Sequence, residues 1–107
     1  AGHVAVTIPE ECQKNFDRFA SLIAEMGLHN GKERPALQVF KTRDGKKPDC
    51  LGFYGNNIVA IWQDAVTSKE VMLEELCHHY SGSADRTRSF QDYLFRMITE
   101  MATYFRD

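Results

Sequence analysis

Glu74, Glu75, His78 and His79 stand together in the run Val71-Met72-Leu73-Glu74-Glu75-Leu76-Cys77-His78-His79-Tyr80-Ser81-Gly82. If that run is helical, Glu74 and His78 lie one turn apart on the same face, close enough to share an ion. Glu75 is then set around the helix by about 100°. Carboxylate and neutral imidazole are ligands for zinc and other divalent cations. A glutamate one residue after the first ligand can take a proton from water at such a cation, which is the layout of the H-E-x-x-H helix of metallopeptidases. Here the first position is Glu74, so the chain reads E-E-x-x-H and then His79. Glu74 and His78 are candidate metal ligands and Glu75 a candidate general base. His79 points about 100° away from His78, which suits packing or capping better than ligation.

Carboxylate in place of imidazole changes the charge of such a site by about one unit and offers a harder donor. Zinc accepts carboxylate oxygens, so binding is not forbidden. A site with more carboxylate than histidine acidifies bound water less and leans toward manganese or iron. Side by side at an unfilled site, Glu74 and Glu75 repel, which raises the pKa of one of them. Cys77 beside His78 invites a thiol–imidazole reading, but adjacent helical residues diverge and do not face each other. A ferritin-like carboxylate site on Glu75-x-x-His78 needs a second such motif, and the chain has one.

The elements that must hold these residues follow from periodicity. Ile8-Pro9-Glu10-Glu11 starts a helix, with proline in the first turn and acids at the positive end of the dipole. Cys12, Phe16, Phe19, Ile23 and Met26 then form an apolar stripe that Gly27 stops. Ala36 to Thr42 alternates as a strand, and Asp44-Gly45 turns the chain. Leu51 to Tyr54 is a second strand, Gly55-Asn56-Asn57 a tight hairpin, and Ile58 to Trp62 a third, near-continuously apolar strand. The aromatics Phe53, Tyr54 and Trp62 on these strands are expected in the core, the alternative being that they line a peptide groove or edge. Thr67 or Ser68 caps the central helix, and Ser81-Gly82-Ser83 ends it. Thr87 or Ser89 caps a last helix whose buried stripe is Phe90, Leu94, Met97, Ile98, Met101 and Phe105. The reading is an α+β domain with an N-terminal helix, a three-stranded sheet, the central helix and a C-terminal helix.

The chain has 107 residues and reads as one domain over 1–107, with Ala1-Gly2-His3 taken as an appended remnant outside the fold. With 13 basic against 15 acidic side chains the net charge is −2, so no basic field points to a nucleic-acid partner. The Lys41, Arg43, Lys46 and Lys47 cluster reads as a solvated hairpin. No apolar run is long enough to span a bilayer, and no signal-peptide pattern opens the chain. Three widely spaced cysteines without a C-x-x-C pair fit a reducing compartment, and the expectation is a cytoplasmic protein.

Val71 to Gly82 resembles the active-site helix of minimal zincin metallopeptidases, whose usual run is close to L-H-E-L-x-H-H-x-S-G. The likeness extends upstream to Leu51-Gly52-Phe53-Tyr54 and Asn57-Ile58-Val59-Ala60-Ile61 with Asp64. It extends downstream to Ser81-Gly82-Ser83-Ala84-Asp85-Arg86-Thr87-Arg88-Ser89-Phe90, which is similar to S-G-x-x-D-x-T-R-x-F. The resemblance implies a small zincin-like fold, Glu75 as general base, His78 as second zinc ligand, and Glu74 at the first-ligand position where family members carry histidine. It also implies a third ligand from downstream, where Asp85 and Asp92 are the acids placed to supply it. It implies zinc as cofactor, or manganese or iron given the carboxylates, and a peptide or protein as substrate or partner. Because that first histidine is missing, the expectation is an impaired or inactive zincin-like domain acting as an interaction or regulatory module. The alternative is an active metal-dependent peptidase with a Glu/His/Asp site.

Overall fold

The computed structural model describes residues 2–105. The element order is β1 (His3–Val6), α1 (Glu10–Glu25), β2 (Ala36–Thr42), β3 (Gly52–Gly55), β4 (Ile58–Trp62), a short 3-10 turn (Gln63–Ala65), α2 (Lys69–Ser81) and α3 (Arg88–Tyr104). The strands form one mixed sheet in the order β1-β2-β4-β3. β2 and β4 run parallel at its centre, and β1 and β3 pair antiparallel at the two edges. The α+β expectation holds, and the three-stranded sheet is corrected to four. His3, set aside as a remnant, opens the extra strand opposite Thr42. Val4 and Val6 of this strand are the half-buried positions of an alternating pattern too short to stand out in sequence.

Alternation along the strands decides which side chains meet the helices. Leu37, Val39, Val59 and Ile61 join Phe16 and Ile23 of α1, Met72 and Leu76 of α2, and Tyr93 and Met97 of α3 in one core. Phe40 is buried but outside that cluster, because it faces the other side of the sheet. There the rings of His3 and Phe53 cover it, at centroid distances of 4.4 and 5.3 Å. Phe53 and Tyr54, expected in the core, stay partly exposed because β3 is an edge strand.

Local signals set the ends of the elements. Leu28 N–H donates to the Ile23 carbonyl and Gly27 N–H to the Ala24 carbonyl, a Schellman closure of α1 with Gly27 at φ 73°. Asn56 and Asn57 both take positive φ, which makes the β3–β4 connection a two-residue hairpin turn. Ser68 caps α2 by accepting from Val71 N–H, and Thr87 caps α3 by accepting from Phe90 N–H. Gly82, at φ 67°, ends α2. The expected buried stripe of α3 is corrected in its second half. Phe90, Tyr93 and Met97 are buried, whereas Ile98 is 62 % and Phe105 60 % exposed. The last turn meets α1 only at its edge, where the Tyr104 hydroxyl donates to Glu25 Oε2 at 2.6 Å.

The connection from α1 to β2 clamps the far end of α2. Asn30 Nδ2 donates to the Tyr80 carbonyl, and Lys32 Nζ donates to the His79 carbonyl at 2.7 Å. A cation on the last carbonyls of a helix also meets the negative end of its dipole. His79 Nε2 faces the Glu33 carbonyl at 3.1 Å, so the second histidine of the pair is structural. Tyr93 of α3 donates to the Leu28 carbonyl and ties the same connection to the last helix.

Candidate metal centre

Glu74 and His78 come from one face of α2, and Asp85 comes from the turn between α2 and α3. The turn is short because Gly82 reverses the chain directly after the helix, and Arg86, at φ 58°, bends it again before Thr87. As a result one donor atom from each of Glu74, His78 and Asp85 lies within 4.8 Å of the others. His78 Nε2 is 2.7 Å from Asp85 Oδ1 and 3.8 Å from Glu74 Oε2. Asp92, the other acid proposed as third ligand, is outside this group and pairs with Arg88 at 3.1 Å.

The imidazole of His78 is held on every side. Its other nitrogen, Nδ1, is 2.7 Å from the Ser83 carbonyl oxygen. A carbonyl only accepts, so Nδ1 carries the hydrogen. In the neutral ring Nε2 therefore presents a lone pair toward two carboxylates. At 2.7 Å Nε2 and Asp85 Oδ1 share a hydrogen bond, and a metal ion with ligand bonds of about 2.0–2.2 Å would take the place of that proton only with the two donors opened slightly apart. Backbone carbonyls fix the tautomer of metal-bound histidines in this same way. The two ring faces are covered by Phe90, at 4.0 Å and 11°, and by Tyr54, at 5.1 Å and 7°.

Glu75 sits deeper. It is 8 % exposed, and among the described residues it makes no hydrogen bond or ion pair. Burial, opposed by His78 and reinforced by Glu74 and Asp85, pushes its carboxyl up to about 7. Gly52 of β3 makes room for it. A Cβ at that position would stand 3.0 Å from Glu75 Cγ, 3.0 Å from Val71 Cγ1 and 3.2 Å from the Ala60 carbonyl oxygen. Between β3 and α2 runs an open cleft of about 610 Å³, lined by Leu51, Tyr54, Val71 and Glu75 together with Glu74, His78 and Asp85.

Cys77 belongs elsewhere. Its thiol is buried against the Met97 sulfur at 3.9 Å, and burial with Glu74 nearby pushes it up to about 12, so it is no nucleophile at neutral pH. Sequence reading offered Tyr54 only as a groove-lining alternative to the core, and missed its place on the His78 ring together with Gly52 and Ser83. Tyr54 and Gly52 sit on a short strand whose place at the sheet edge is a tertiary fact, and Ser83 acts through its backbone, which carries no residue-type signal. Phe90 was legible only as an apolar stripe position. No protein-family model matches the chain, and no curated protein or solved structure matches it either. No helix among the described residues is long and apolar enough to cross a membrane.

Proposed function

We propose that Glu74, His78 and Asp85 hold a divalent cation in a zincin-like domain, and that the cleft beside them hydrolyses a peptide. The observation that carries this reading is the imidazole with Nδ1 committed to a carbonyl and Nε2 aimed at two carboxylates. The donor set fits such an ion, since one nitrogen and carboxylate oxygens are what zinc accepts and what manganese and iron favour. A cation bound there supplies Lewis acidity toward a carbonyl and toward water. The chain's own groups would do the rest. Glu75 Oε takes the proton of the attacking water in a cleft that partly excludes solvent, and returns it to the leaving amine nitrogen. β3 is an edge strand beside the cleft, so its outer backbone groups can pair with an extended peptide and lay it across the site.

A second reading, a non-catalytic interaction or regulatory domain, is favoured by one observation. Glu74 occupies the first-ligand position with a side chain 53 % exposed, a looser hold than a buried imidazole gives. Elemental analysis of the purified protein, with His78→Ala and Glu74→His beside it, separates the two. The peptidase reading expects near-stoichiometric zinc, manganese or iron, affinity reduced by more than about 100-fold in His78→Ala, and peptide cleavage lost in Glu75→Gln. A parent without metal, regaining it in Glu74→His, supports the non-catalytic reading.

A further inference from the structure

The three most open large apolar side chains among the described residues are Phe95, Ile98 and Phe105, between 59 and 62 % exposed, and all lie at α3. With Ala102, also exposed, they run at intervals of three, four and three residues. That is the repeat by which one helix presents a narrow seam to another. Phe105 keeps its place in the repeat because its N–H donates to the Met101 carbonyl and closes the last turn. At about 100° per residue, the seam sits roughly 120° around α3 from Phe90, Tyr93 and Met97, which meet the core. The last helix therefore carries two apolar faces, and the fold covers one. None of the four seam residues lines the cleft at Glu75.

We infer that a second copy of this chain covers the seam, with the two α3 helices packed antiparallel about a two-fold axis between Ile98 and Ala102. Size is the first argument. Scaled from about 150–250 Å² for a whole aromatic side chain, Phe95, Ile98 and Phe105 leave roughly 350 Å² open on one copy. Gln91, Met101 and Ala102 beside them bring the face to about 500 Å², so pairing two copies removes about 1,000 Å², where specific interfaces begin. Shape is the second. Turned about that axis, each Phe95 meets Phe105 of the other copy, and each Ile98 meets Ala102. Ring then lies on ring at both ends and a large side chain on a small one at the centre, each contact made twice, as an isologous interface requires. Polar accounting is the third. Thr99 Oγ1 donates to the Phe95 carbonyl and Thr103 Oγ1 to the Thr99 carbonyl, so covering this flank strands no hydroxyl. The flanking charges of Arg88 and Asp92 are already paired with each other.

Sedimentation of the whole chain, from low micromolar to several hundred micromolar, tests the pairing. An interface at the lower end of the size range is transient, so the average mass is expected to rise from one chain toward two across that span. Ile98→Glu and Phe105→Glu place a charge at the centre of the seam and at one end of it. Both should stay monomeric throughout, and keep the parent's urea midpoint at low concentration, where all three are single chains. A second readout needs no variant. Phe95 and Phe105 stand about 15 Å apart along one helix, so a nuclear Overhauser contact between their rings comes only from two copies packed antiparallel. That contact should strengthen with concentration in step with the mass. A parent that stays monomeric at every concentration overturns the inference. Association retained in folded Ile98→Glu and Phe105→Glu belongs to another surface and overturns it, and so does a dimer without the contact between Phe95 and Phe105.

Discussion

His78 illustrates how much one side chain's meaning depends on its neighbours. In sequence it is the end of an E-x-x-H run, a pattern equally at home on a solvated helix face. In the fold its ring is sandwiched between Tyr54 and Phe90, and its Nδ1 is committed to Ser83, so only Nε2 is left to act. Glu75 is its complement, a buried acid without a partner among the described residues. Its raised pKa has a consequence for stability. Held at about 7 when folded against an ordinary 4.5, Glu75 keeps its proton in the native state while the unfolded chain has lost it. Stability from this group is therefore full below the ordinary value and is lost as pH rises through about 7. Chelator-treated protein should lose melting temperature between those limits, and Glu75→Gln should remove that part of the slope. Thermal melts across the range, wild type against variant, check it; parallel curves would refute it.

At the scale of elements, two contacts set the site. The first is between β3 and α2, where Gly52 lets the Glu75 side chain lie against the strand. Gly52→Ala inserts a methyl into contacts of 3.0 Å with side chains on α2 and 3.2 Å with strand backbone. The expected cost is about 1–3 kcal/mol, the usual range for overpacking. Because Glu75 must move, the proposed peptidase reading expects cleavage to fall more than the stability loss explains, with any bound metal staying near the parent level. Denaturant titration with metal analysis and a peptide assay on the same samples measures all three. The second contact is between the α1–β2 connection and the end of α2. Lys32 and Asn30 there take the terminal carbonyls just beyond His78, which fixes where the helix stops and where the turn to Asp85 begins.

Across the whole molecule, the last helix divides into a packed half and a projecting half. Met97 is 5 % exposed and touches Cys77, whereas Ile98 and Phe105 lie open. Met97→Ala should cost about 2–5 kcal/mol, the range for truncating a buried side chain. Ile98→Glu and Phe105→Glu should each change stability by no more than about 0.5 kcal/mol. Urea unfolding of the three variants decides it, and a large loss in either glutamate variant would return those residues to the core. Periodicity could not make this division. An apolar stripe records which face of a helix avoids water, and says nothing about how far the neighbouring sheet and helix extend beneath it.

The sequence by itself determined the element types, the stops and the candidate chemistry. Gly27, Asn56-Asn57, Ser68, Thr87 and Gly82 act through bonds spanning a few residues, so their signals are local and legible. Glu74, Glu75 and His78 were equally legible, because helical geometry alone relates them. Only the tertiary structure brings Asp85 rather than Asp92 beside Glu74 and His78, since that depends on a turn built from Gly82 and Arg86 rather than on spacing. It alone added His3–Val6 to the sheet, because pairing with β2 joins segments separated by a whole helix. And it alone put Tyr54, Gly52 and the Ser83 carbonyl around the centre, through strand order and backbone direction that no pattern of residue types encodes.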